Sequence, residues 1–167
     1  MSSSMTIDVV DQSDVPIGTI ARDAVLGSGQ TFRTAHVFLF NEAGELLLQQ
    51  LSAARPRHAG RWGSSAAAYL NAGESYAAAA SRRLTEELGL HTVALRESCK
   101  LAMPEEGARK FVTLFVARHS GPVQPEPTVI AKVRWAARET IARELDQHQD
   151  EFTPTFALLF RHFSRGG

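Results

Sequence analysis

Hydrophobic positions recur at two spacings along the chain, and the shorter one is the two-residue alternation of β-strands. Runs rich in β-branched and aromatic residues are separated by turn sequences such as N-E-A-G at 41–44. The strands predicted from these runs cover residues 6–10, 17–22, 34–40, 45–50, 65–70, 92–103, 110–118 and 132–137. A proline followed by two glutamates and a glycine predicts a loop at 104–109.

Apolar residues spaced three or four positions apart predict three helices, at 75–88, 139–147 and 154–163. The first begins after an N-cap at Ser75 and ends where Gly89 can adopt a left-handed conformation. Its buried stripe is predicted to consist of Tyr76, Ala80, Leu84 and Leu88. Because strands and helices interleave without a regular β-α-β rhythm, we expect an α/β (α+β) fold in which helices cover both faces of a mixed sheet.

Length and composition indicate one domain over residues 1–167, large enough to bury a core. Basic and acidic residues balance at 18 each, so a nucleic-acid partner is not expected. No apolar run is long enough to cross a membrane, and M-S-S-S-M at the start lacks the basic and apolar regions of a signal peptide. The single cysteine, Cys99, excludes an internal disulfide. These features predict a cytoplasmic protein without a membrane partner.

Two adjacent carboxylates near the end of the first helix, Glu86 and Glu87, are the most informative candidate site residues. Residues three and four positions apart share a helix face, so Arg83 lies beside both. A divalent cation would offset the repulsion between them, since Mg²⁺ binds one or two protein carboxylates together with water and phosphate oxygens. Helical ion pairs with Arg82 and Arg83, of roughly 0.2–0.5 kcal/mol each, would also offset it. The glutamates alone leave both interpretations open.

The whole segment around this pair resembles the Nudix box, G-x5-E-x7-R-E-U-x-E-E-x-G-U, in which U is a bulky aliphatic residue. The matching residues are Glu74, Arg82, Leu84, Glu86, Glu87, Gly89 and Leu90. Two positions depart from the motif, because Ala68 replaces the first glycine and Arg83 replaces the glutamate after the arginine. On these residues the chain is identified as a member of the Nudix hydrolase superfamily. The resemblance implies an α/β/α sandwich with a mixed central sheet.

The resemblance also implies a divalent cation, Mg²⁺ or Mn²⁺, that neutralises the charge of a diphosphate and activates the attacking water. By this resemblance Glu86 and Glu87 are the metal ligands, with a further ligand from a backbone carbonyl near Ala67 or Ala68. Arg82 would hold the glutamates in place by ion pairing and is counted with them among the candidate catalytic residues.

Arg83 is the departure with the largest chemical consequence. Many family members have a metal ligand or base at this position, whereas a guanidinium repels a metal ion, so we expect weak metal binding and weak hydrolysis. Exposed ion pairs contribute only about 0–1 kcal/mol each, so magnesium and a polyphosphate together can still displace the arginine. Alternatively, Arg83 itself binds a phosphate of the substrate in bidentate fashion.

Other candidate site residues flank the box. The segment 52–61 is basic, and we predict that Arg55 and Arg61 contact the substrate, as does Tyr69 at the end of the preceding strand; a solvated loop is the alternative. Glu105 or Glu106, in a loop that the resemblance places opposite the box, is the candidate general base in place of the missing glutamate.

Further segments, including F-L-F-N-E-A-G-E-L-L-L-Q-Q and G-R-W-G-S-S, resemble the branch that contains isopentenyl-diphosphate isomerase and related hydrolases. The isomerases need a catalytic cysteine where this chain has Ala67, and two histidine ligands where it has residues near Leu26 and Phe32. They also need an E-x-E pair where it has Ala108 and Lys110. Because moving protons at carbon requires an acid and a base, isomerase activity is not expected.

Two functions therefore remain at the level of sequence. One is a metal-dependent pyrophosphohydrolase that cleaves a diphosphate linkage in a nucleoside diphosphate derivative. The other is a catalytically inactive Nudix-fold protein that binds a nucleotide or a phosphorylated ligand. Both imply a small-molecule nucleotide or diphosphate partner, and both a monomer and a homodimer are compatible with the sequence.

Overall fold

A computed structural model describes residues 5–166. Residues 1–4, on which the prediction of a missing signal peptide rests in part, lie outside the described residues. The strands are β1 (Thr6–Val10), β2 (Pro16–Ala21), β3 (Thr31–Phe40), β4 (Leu46–Leu51), β5 (Trp62–Gly63), β6 (Ala66–Tyr69), β7 (Arg96–Glu105), β8 (Ala108–Arg118) and β9 (Ile130–Ala136). The helices are α1 (Tyr76–Leu88), α2 (Arg138–Gln147) and α3 (Pro154–Ser164), and single 3₁₀ turns lie at Arg22–Ala24 and Gln149–Glu151.

The central sheet is mixed, as the sequence predicts. Its strand order is β5-β4-β3-β8-β7, with β6 paired to β3 and β9 paired to β4. β3 and β8 run parallel from Thr31↔Arg109 to Phe40↔Arg118, and the other pairs are antiparallel. β3 is buried along most of its length because both of its faces are covered, which explains why its last four residues, 37–40, are all apolar.

Each face of the sheet has its own core. One core contains α1, and Ala80, Leu84 and Leu88 are each at most 1% exposed, with Tyr76 packed beside them. The predicted stripe of the first helix is therefore confirmed, and Ala79 extends it. The opposite core contains α2 and α3, whose side chains pack on alternate residues of the same strands, such as Phe38. The resulting α/β/α sandwich confirms the predicted fold class.

Helix α1 begins and ends where the sequence predicts. Ser75 is the N-cap, and its hydroxyl accepts a hydrogen bond from the Ala78 N–H at 3.1 Å. Gly89 closes the helix in the left-handed region at φ 69°. Fixed ends set the rotation of the helix, which directs Arg83 and Glu87 toward the sheet edge where β6 ends.

The prediction of a loop at 104–109 is wrong. β7 continues through Pro104 to Glu105, and β8 begins at Ala108, so only Glu106 and Gly107 form the turn, both with positive φ of 40° and 75°. Pro104 is tolerated in the strand because β7 lies at the edge of the sheet. The N–H that proline lacks is not needed there for a hydrogen bond to another strand. The short turn fixes the direction of Glu105, which lies at the end of β7.

Asp14 joins the hairpin of β1 and β2 to the rest of the domain. Its carboxylate is 8% exposed and accepts hydrogen bonds from Arg33 Nε at 2.6 Å, Lys100 Nζ at 2.6 Å and Tyr76 Oη at 2.7 Å. Burial by itself would raise the pKa of Asp14, but the hydrogen bonds from Lys100, Arg33 and Tyr76 outweigh it and hold the pKa below its ordinary value.

We expect Asp14→Asn to lower the free energy of unfolding by about 2 kcal/mol at neutral pH, because hydrogen bonds to a charged group contribute more than neutral ones. A carboxyl with a lowered folded-state pKa contributes its stability above the unfolded-state pKa of about 4, and the contribution is lost as pH falls through the folded-state pKa. The difference between the two proteins should therefore shrink below about pH 4. Urea denaturation of both proteins over a pH series measures this difference. A difference in unfolding free energy that stays the same below about pH 4 would contradict the prediction.

Candidate functional site

A cleft of about 550 Å³ opens between the middle of α1, the strand β6 and the loop after β4. Most of the charged side chains in its lining are basic, and its lining includes Arg55, Arg57, Tyr69, Arg83, Glu105 and Lys110. These residues come from distant parts of the sequence. The sheet brings them together because β6 and β8 both pair with β3, on opposite edges of that strand.

The guanidinium of Arg83 lies at the point where the resemblance implied a metal ion. Its Nε donates to the Ala67 carbonyl at 2.9 Å. Its Nη1 contacts Glu86 Oε1 at 3.2 Å, and its Nη2 contacts Glu87 Oε2 at 3.1 Å. Three oxygen atoms that the sequence proposed as ligands of a divalent cation therefore all face the same arginine.

Glu87 is the buried member of this group, with 2% of its surface exposed. Its Oε1 accepts hydrogen bonds from the Ala67 N–H at 3.1 Å and from Gln49 Nε2 at 3.3 Å. Burial raises the pKa of Glu87 even though Arg83 and these donors oppose that change. Because the Glu87 carboxylate is almost inaccessible to water, its negative charge is compensated mainly by the guanidinium of Arg83.

Arg82 connects α1 to the segment that precedes it through hydrogen bonds. It forms a two-point contact with Glu74, from Nε at 2.8 Å and Nη2 at 2.9 Å, donates to the Tyr69 carbonyl at 3.0 Å, and reaches Glu86 at 3.0 Å. The hydrogen bonds from Arg82 are the largest influence on the carboxyl of Glu74 and hold its pKa below the ordinary value. Arg82 thus positions Glu86 and the end of β6, and four of its five N–H groups are hydrogen-bonded.

Arg55 differs from Arg82, because its guanidinium has neither a hydrogen-bond partner nor a carboxylate within 4 Å in the described chain. It is nevertheless only partly exposed and lines the cleft. Burial lowers the pKa of Arg55, while Glu87 opposes that change and Arg83 adds to it. A partly buried guanidinium without a carboxylate is costly unless an anion from outside neutralises it.

Glu105 and Lys110 form the opposite wall. Glu105 accepts from Lys110 Nζ at 2.6 Å and from Arg57 Nη2 at 2.8 Å, and Lys110 also donates to the Thr155 hydroxyl at 2.8 Å. Burial would raise the pKa of Glu105, but Lys110 and Arg57 outweigh it and lower the pKa. Glu106 lies at the tip of the turn, 57% exposed and in contact with Arg57, and it does not line the cleft.

The structure places the predicted substrate-binding residues unequally. Arg55, Arg83 and Tyr69 line the cleft, where the Tyr69 ring stacks on Phe32 with centroids 5.0 Å apart. Arg61 does not line the cleft. It lies at the end of the basic loop, where its backbone N–H donates to the His58 carbonyl.

Sequence reasoning did not propose several cleft residues, among them Gln49, His36 and Lys110. Lys110 carries a detectable signal, since a lysine inside an apolar strand has to find a partner. His36 is 7% exposed and its Nδ1 lies 2.8 Å from Ser64 Oγ. Burial, assisted by Lys110, lowers the pKa of His36 to about 3, so the imidazole is neutral at physiological pH.

Comparison with known proteins gives the family. Residues 30–156 match the family model described as the NUDIX domain. An uncharacterized Nudix hydrolase of Pseudomonas aeruginosa is 32% identical over 143 residues, covering 86% of this chain and 85% of that protein. An isopentenyl-diphosphate Δ-isomerase of Streptomyces avermitilis is 31% identical over 166 residues, covering 95% of this chain and 83% of that protein. The chain therefore belongs to the Nudix family.

The fold agrees with that assignment. A crystal structure of a Deinococcus radiodurans protein superposes with a TM-score of 0.84 at 21% identity and covers 94% of this chain and 98% of the other. An identity this low supports the shared fold and says nothing about the substrate. Nudix hydrolases generally act on small-molecule, nucleotide-type substrates and use divalent metals such as Mg²⁺ or Mn²⁺. No helix among residues 5–166 is long and apolar enough to span a bilayer.

The residues that would bind such a metal do not suit one in this arrangement. Carbonyl and carboxylate oxygens are the right kind of ligand for Mg²⁺. The three that converge here, from Ala67, Glu86 and Glu87, already contact the Arg83 guanidinium. Within the described part of the chain, no group of three or more His, Cys, Asp or Glu side chains is arranged to hold an ion. A metal would enter only after Arg83 had moved away.

Millimolar Mn²⁺ is accordingly expected to leave the melting temperature of the parent protein unchanged. A ligand that binds only the folded state raises its stability in proportion to RT ln(1 + [L]/Kd), so an ion that has to displace Arg83 contributes little. Thermal unfolding with Mn²⁺ and with EDTA measures this. A rise of several degrees that disappears in Glu87→Gln would show that a metal does bind at these carboxylates.

Proposed function

We propose that this Nudix-family chain binds the diphosphate group of a nucleoside diphosphate derivative in the cleft and hydrolyses its phosphoanhydride bond slowly. The single observation that carries the proposal is the surplus of positive charge in the cleft beside the box. Arg22 and Arg55 line the cleft without a carboxylate partner in residues 5–166, whereas Glu105 and Glu106 neutralise Arg57 and Lys110. A group with two or more negative charges would balance this surplus, and guanidinium groups bind phosphate oxygens in bidentate fashion.

The remainder of the ligand has a place in the same cleft. Tyr69 presents a ring between Phe32, at a centroid distance of 5.0 Å, and the guanidinium of Arg22, at 5.4 Å. The partly buried ring provides an apolar edge next to the basic side chains. Such a combination of apolar surface with a few charged groups is typical of sites for small organic anions. A nucleoside diphosphate derivative has both parts.

The slow rate follows from the state of the carboxylates. Glu86 and Glu87 are paired with Arg83, and Glu86 with Arg82 as well, so a divalent cation has to compete with a guanidinium at both carboxylates. The lowered pKa of Glu105 makes it a weak proton acceptor, although it lines the cleft and is better placed than Glu106. General acid–base catalysis typically contributes about 10²- to 10⁴-fold to a rate, and much of that contribution is missing here.

A catalytically inactive binding protein is the second candidate, and the three contacts of Arg83 favour it specifically. If the guanidinium stays in place while the ligand binds, the chain retains the affinity of the family and loses the chemistry. Isomerase activity is not proposed, because Ala67 and Ala108 cannot donate or accept protons and Lys110 is held by Glu105 and Thr155.

A phosphate-release panel with the full chain separates these functions. Nucleoside di- and triphosphates, dinucleotides and isopentenyl diphosphate are incubated with Mg²⁺, with Mn²⁺ and with EDTA, and the binding of each is measured by calorimetry. Slow release from a nucleoside diphosphate derivative supports the hydrolase, whereas binding without release supports the binding protein. Failure of every phosphorylated compound to bind would overturn both.

A further inference from the structure

We infer that Arg83 is a resident cation that takes over the charge of the absent metal, so that this cleft binds a diphosphate group without any divalent ion. The inference rests on the proposed function, since it concerns how the same cleft binds its ligand. Its basis is the geometry around Arg83, the charge of the box residues and the hydrogen-bonding capacity that Arg83 retains.

The first observation is positional. The Nε, Nη1 and Nη2 atoms of Arg83 contact one oxygen each, and those oxygens belong to Ala67, Glu86 and Glu87. Ala67 is 16 residues away from Arg83 in sequence, so the contact is not a by-product of helix geometry. A cation of any kind is stabilised where three oxygen atoms converge, and here that cation belongs to the chain itself.

The second observation concerns charge. With glutamate at position 83, as in the Nudix motif, the box would carry four carboxylates and one guanidinium, a net charge of −3 that a divalent cation would reduce to −1. In this chain it carries three carboxylates, from Glu74, Glu86 and Glu87, and two guanidinium groups, from Arg82 and Arg83, also a net charge of −1. Exchanging a carboxylate for a guanidinium therefore supplies the same two positive charges that a divalent metal would.

The third observation is that Arg83 keeps donors for a ligand. A guanidinium has five N–H groups. The Nε–H and one Nη1–H of Arg83 donate hydrogen bonds to Ala67 and Glu86, and Nη2 forms an ion pair with Glu87. At least one N–H on each terminal nitrogen therefore lacks a hydrogen-bond partner in the described chain. The side chain is 23% exposed and lines the cleft, so these donors are accessible from it. Two N–H groups held in a plane match two oxygens of a phosphate group.

Arg55 completes the arrangement. It lies close enough to Arg83 and Glu87 for their charges to act on its guanidinium, and it has no partner of its own in residues 5–166. Two guanidinium groups with free donors that line one cleft suit two linked phosphate groups. The chain thus binds a free diphosphate directly, whereas a magnesium complex of the same ligand brings two further positive charges into a cleft that already has them.

Isothermal titration calorimetry of the full chain with inorganic pyrophosphate tests this inference. Binding in EDTA is expected, with an affinity that Mg²⁺ leaves unchanged or weakens. Arg83→Gln should lower the affinity in EDTA by about tenfold or more. The matched control is Arg143→Gln, which removes the same charge from an exposed position on α2 and should leave the affinity within about twofold of the parent.

A second readout does not depend on the ligand. Electron paramagnetic resonance of Mn²⁺ in the absence of pyrophosphate should detect no ion bound to the parent protein, but should detect one bound to Arg83→Glu, where the carboxylate cluster lacks its resident cation. Thermal unfolding of each variant confirms that it is folded. If Arg83→Gln does not fold, the comparison of the parent protein in EDTA and in Mg²⁺ still decides the question.

Failure of the proposed function and failure of the inference about Arg83 give different experimental results. Pyrophosphate and nucleoside diphosphates that bind neither with nor without metal overturn the proposed function, and the inference with it. Pyrophosphate binding that requires Mg²⁺, or that Mg²⁺ strengthens by about tenfold, overturns the inference alone. An unchanged affinity of Arg83→Gln in EDTA overturns it as well, because the guanidinium would then not contact the ligand.

Discussion

Replacing Arg83 by glutamate should raise the rate of phosphate release by about tenfold or more in the presence of Mg²⁺, which corresponds to about 1.4 kcal/mol of activation free energy. The substitution removes the guanidinium from Glu86 and Glu87 and adds a carboxylate to the same cluster. Three neighbouring carboxylates and the Ala67 carbonyl then form an oxygen-rich group that suits a divalent cation. Such a cation neutralises the charge that develops on the transferred phosphoryl group.

Turnover numbers of parent and Arg83→Glu, measured with Mg²⁺ on a substrate identified by the panel, test this expectation. Arg83→Gln is the matched control, since it removes the guanidinium without adding a carboxylate. A gain confined to the glutamate variant shows that the missing carboxylate limits the parent, while an equal gain in both variants shows that the guanidinium merely blocks the site. If Arg83→Glu abolishes the activity of the parent even at saturating substrate, the contact of Arg83 with the ligand is needed for the chemistry, and its description as an obstacle to hydrolysis is wrong.

The largest effect on stability is expected from Phe156→Ala, which should lower the free energy of unfolding by about 3–5 kcal/mol. Phe156 is fully buried at the start of α3, with 0% of its surface exposed. Its ring packs against Phe38, Phe152 and Phe160 at centroid distances of 5.5, 5.6 and 5.6 Å. Removal of the ring leaves a cavity among side chains that the strands and helices hold apart, so the surroundings cannot collapse into it.

Urea denaturation of the two proteins gives the difference in unfolding free energy. Leu158→Ala is the matched control on the same helix, because Leu158 is 39% exposed and its truncation should cost less than about 0.5 kcal/mol. A cost below about 1 kcal/mol for Phe156→Ala would contradict the packing described here. The variant should also weaken the wall of the cleft, since the neighbouring Thr155 accepts a hydrogen bond from Lys110.

Local signals in the sequence determined α1 and the relative positions of its side chains. The cap residues Ser75 and Gly89 set its ends, and the interval of four between apolar residues set its buried face. Once those are fixed, the helical repeat places Arg83 beside Glu86 and Glu87 without reference to the rest of the fold. The runs of β-forming residues likewise placed the ends of eight strands to within four residues, but β5 was not predicted, and β7 continues through Pro104, where the sequence predicted a loop.

The cleft itself was decided by tertiary structure. Lys110 and Glu105 face each other across the two-residue turn between β7 and β8, and neither their pairing nor the third partner, Thr155, follows from spacing along the chain. The carbonyl of Ala67 reaches Arg83 only because the pairing of β6 with β3 fixes the end of that strand next to α1. Contacts of this kind depend on strand register, which the alternating pattern of a short strand does not specify by itself.

The sequence by itself therefore determined which charged groups meet on α1, because a helix repeats every 3.6 residues whatever surrounds it. Only the tertiary structure decided what those groups do. It buried Glu87 and placed a backbone carbonyl against the Arg83 guanidinium, and it left Arg55 in the cleft without a carboxylate. Burial and long-range proximity arise from packing of the whole domain, so the position of the Arg83 guanidinium among three oxygen atoms becomes visible only once the chain is folded.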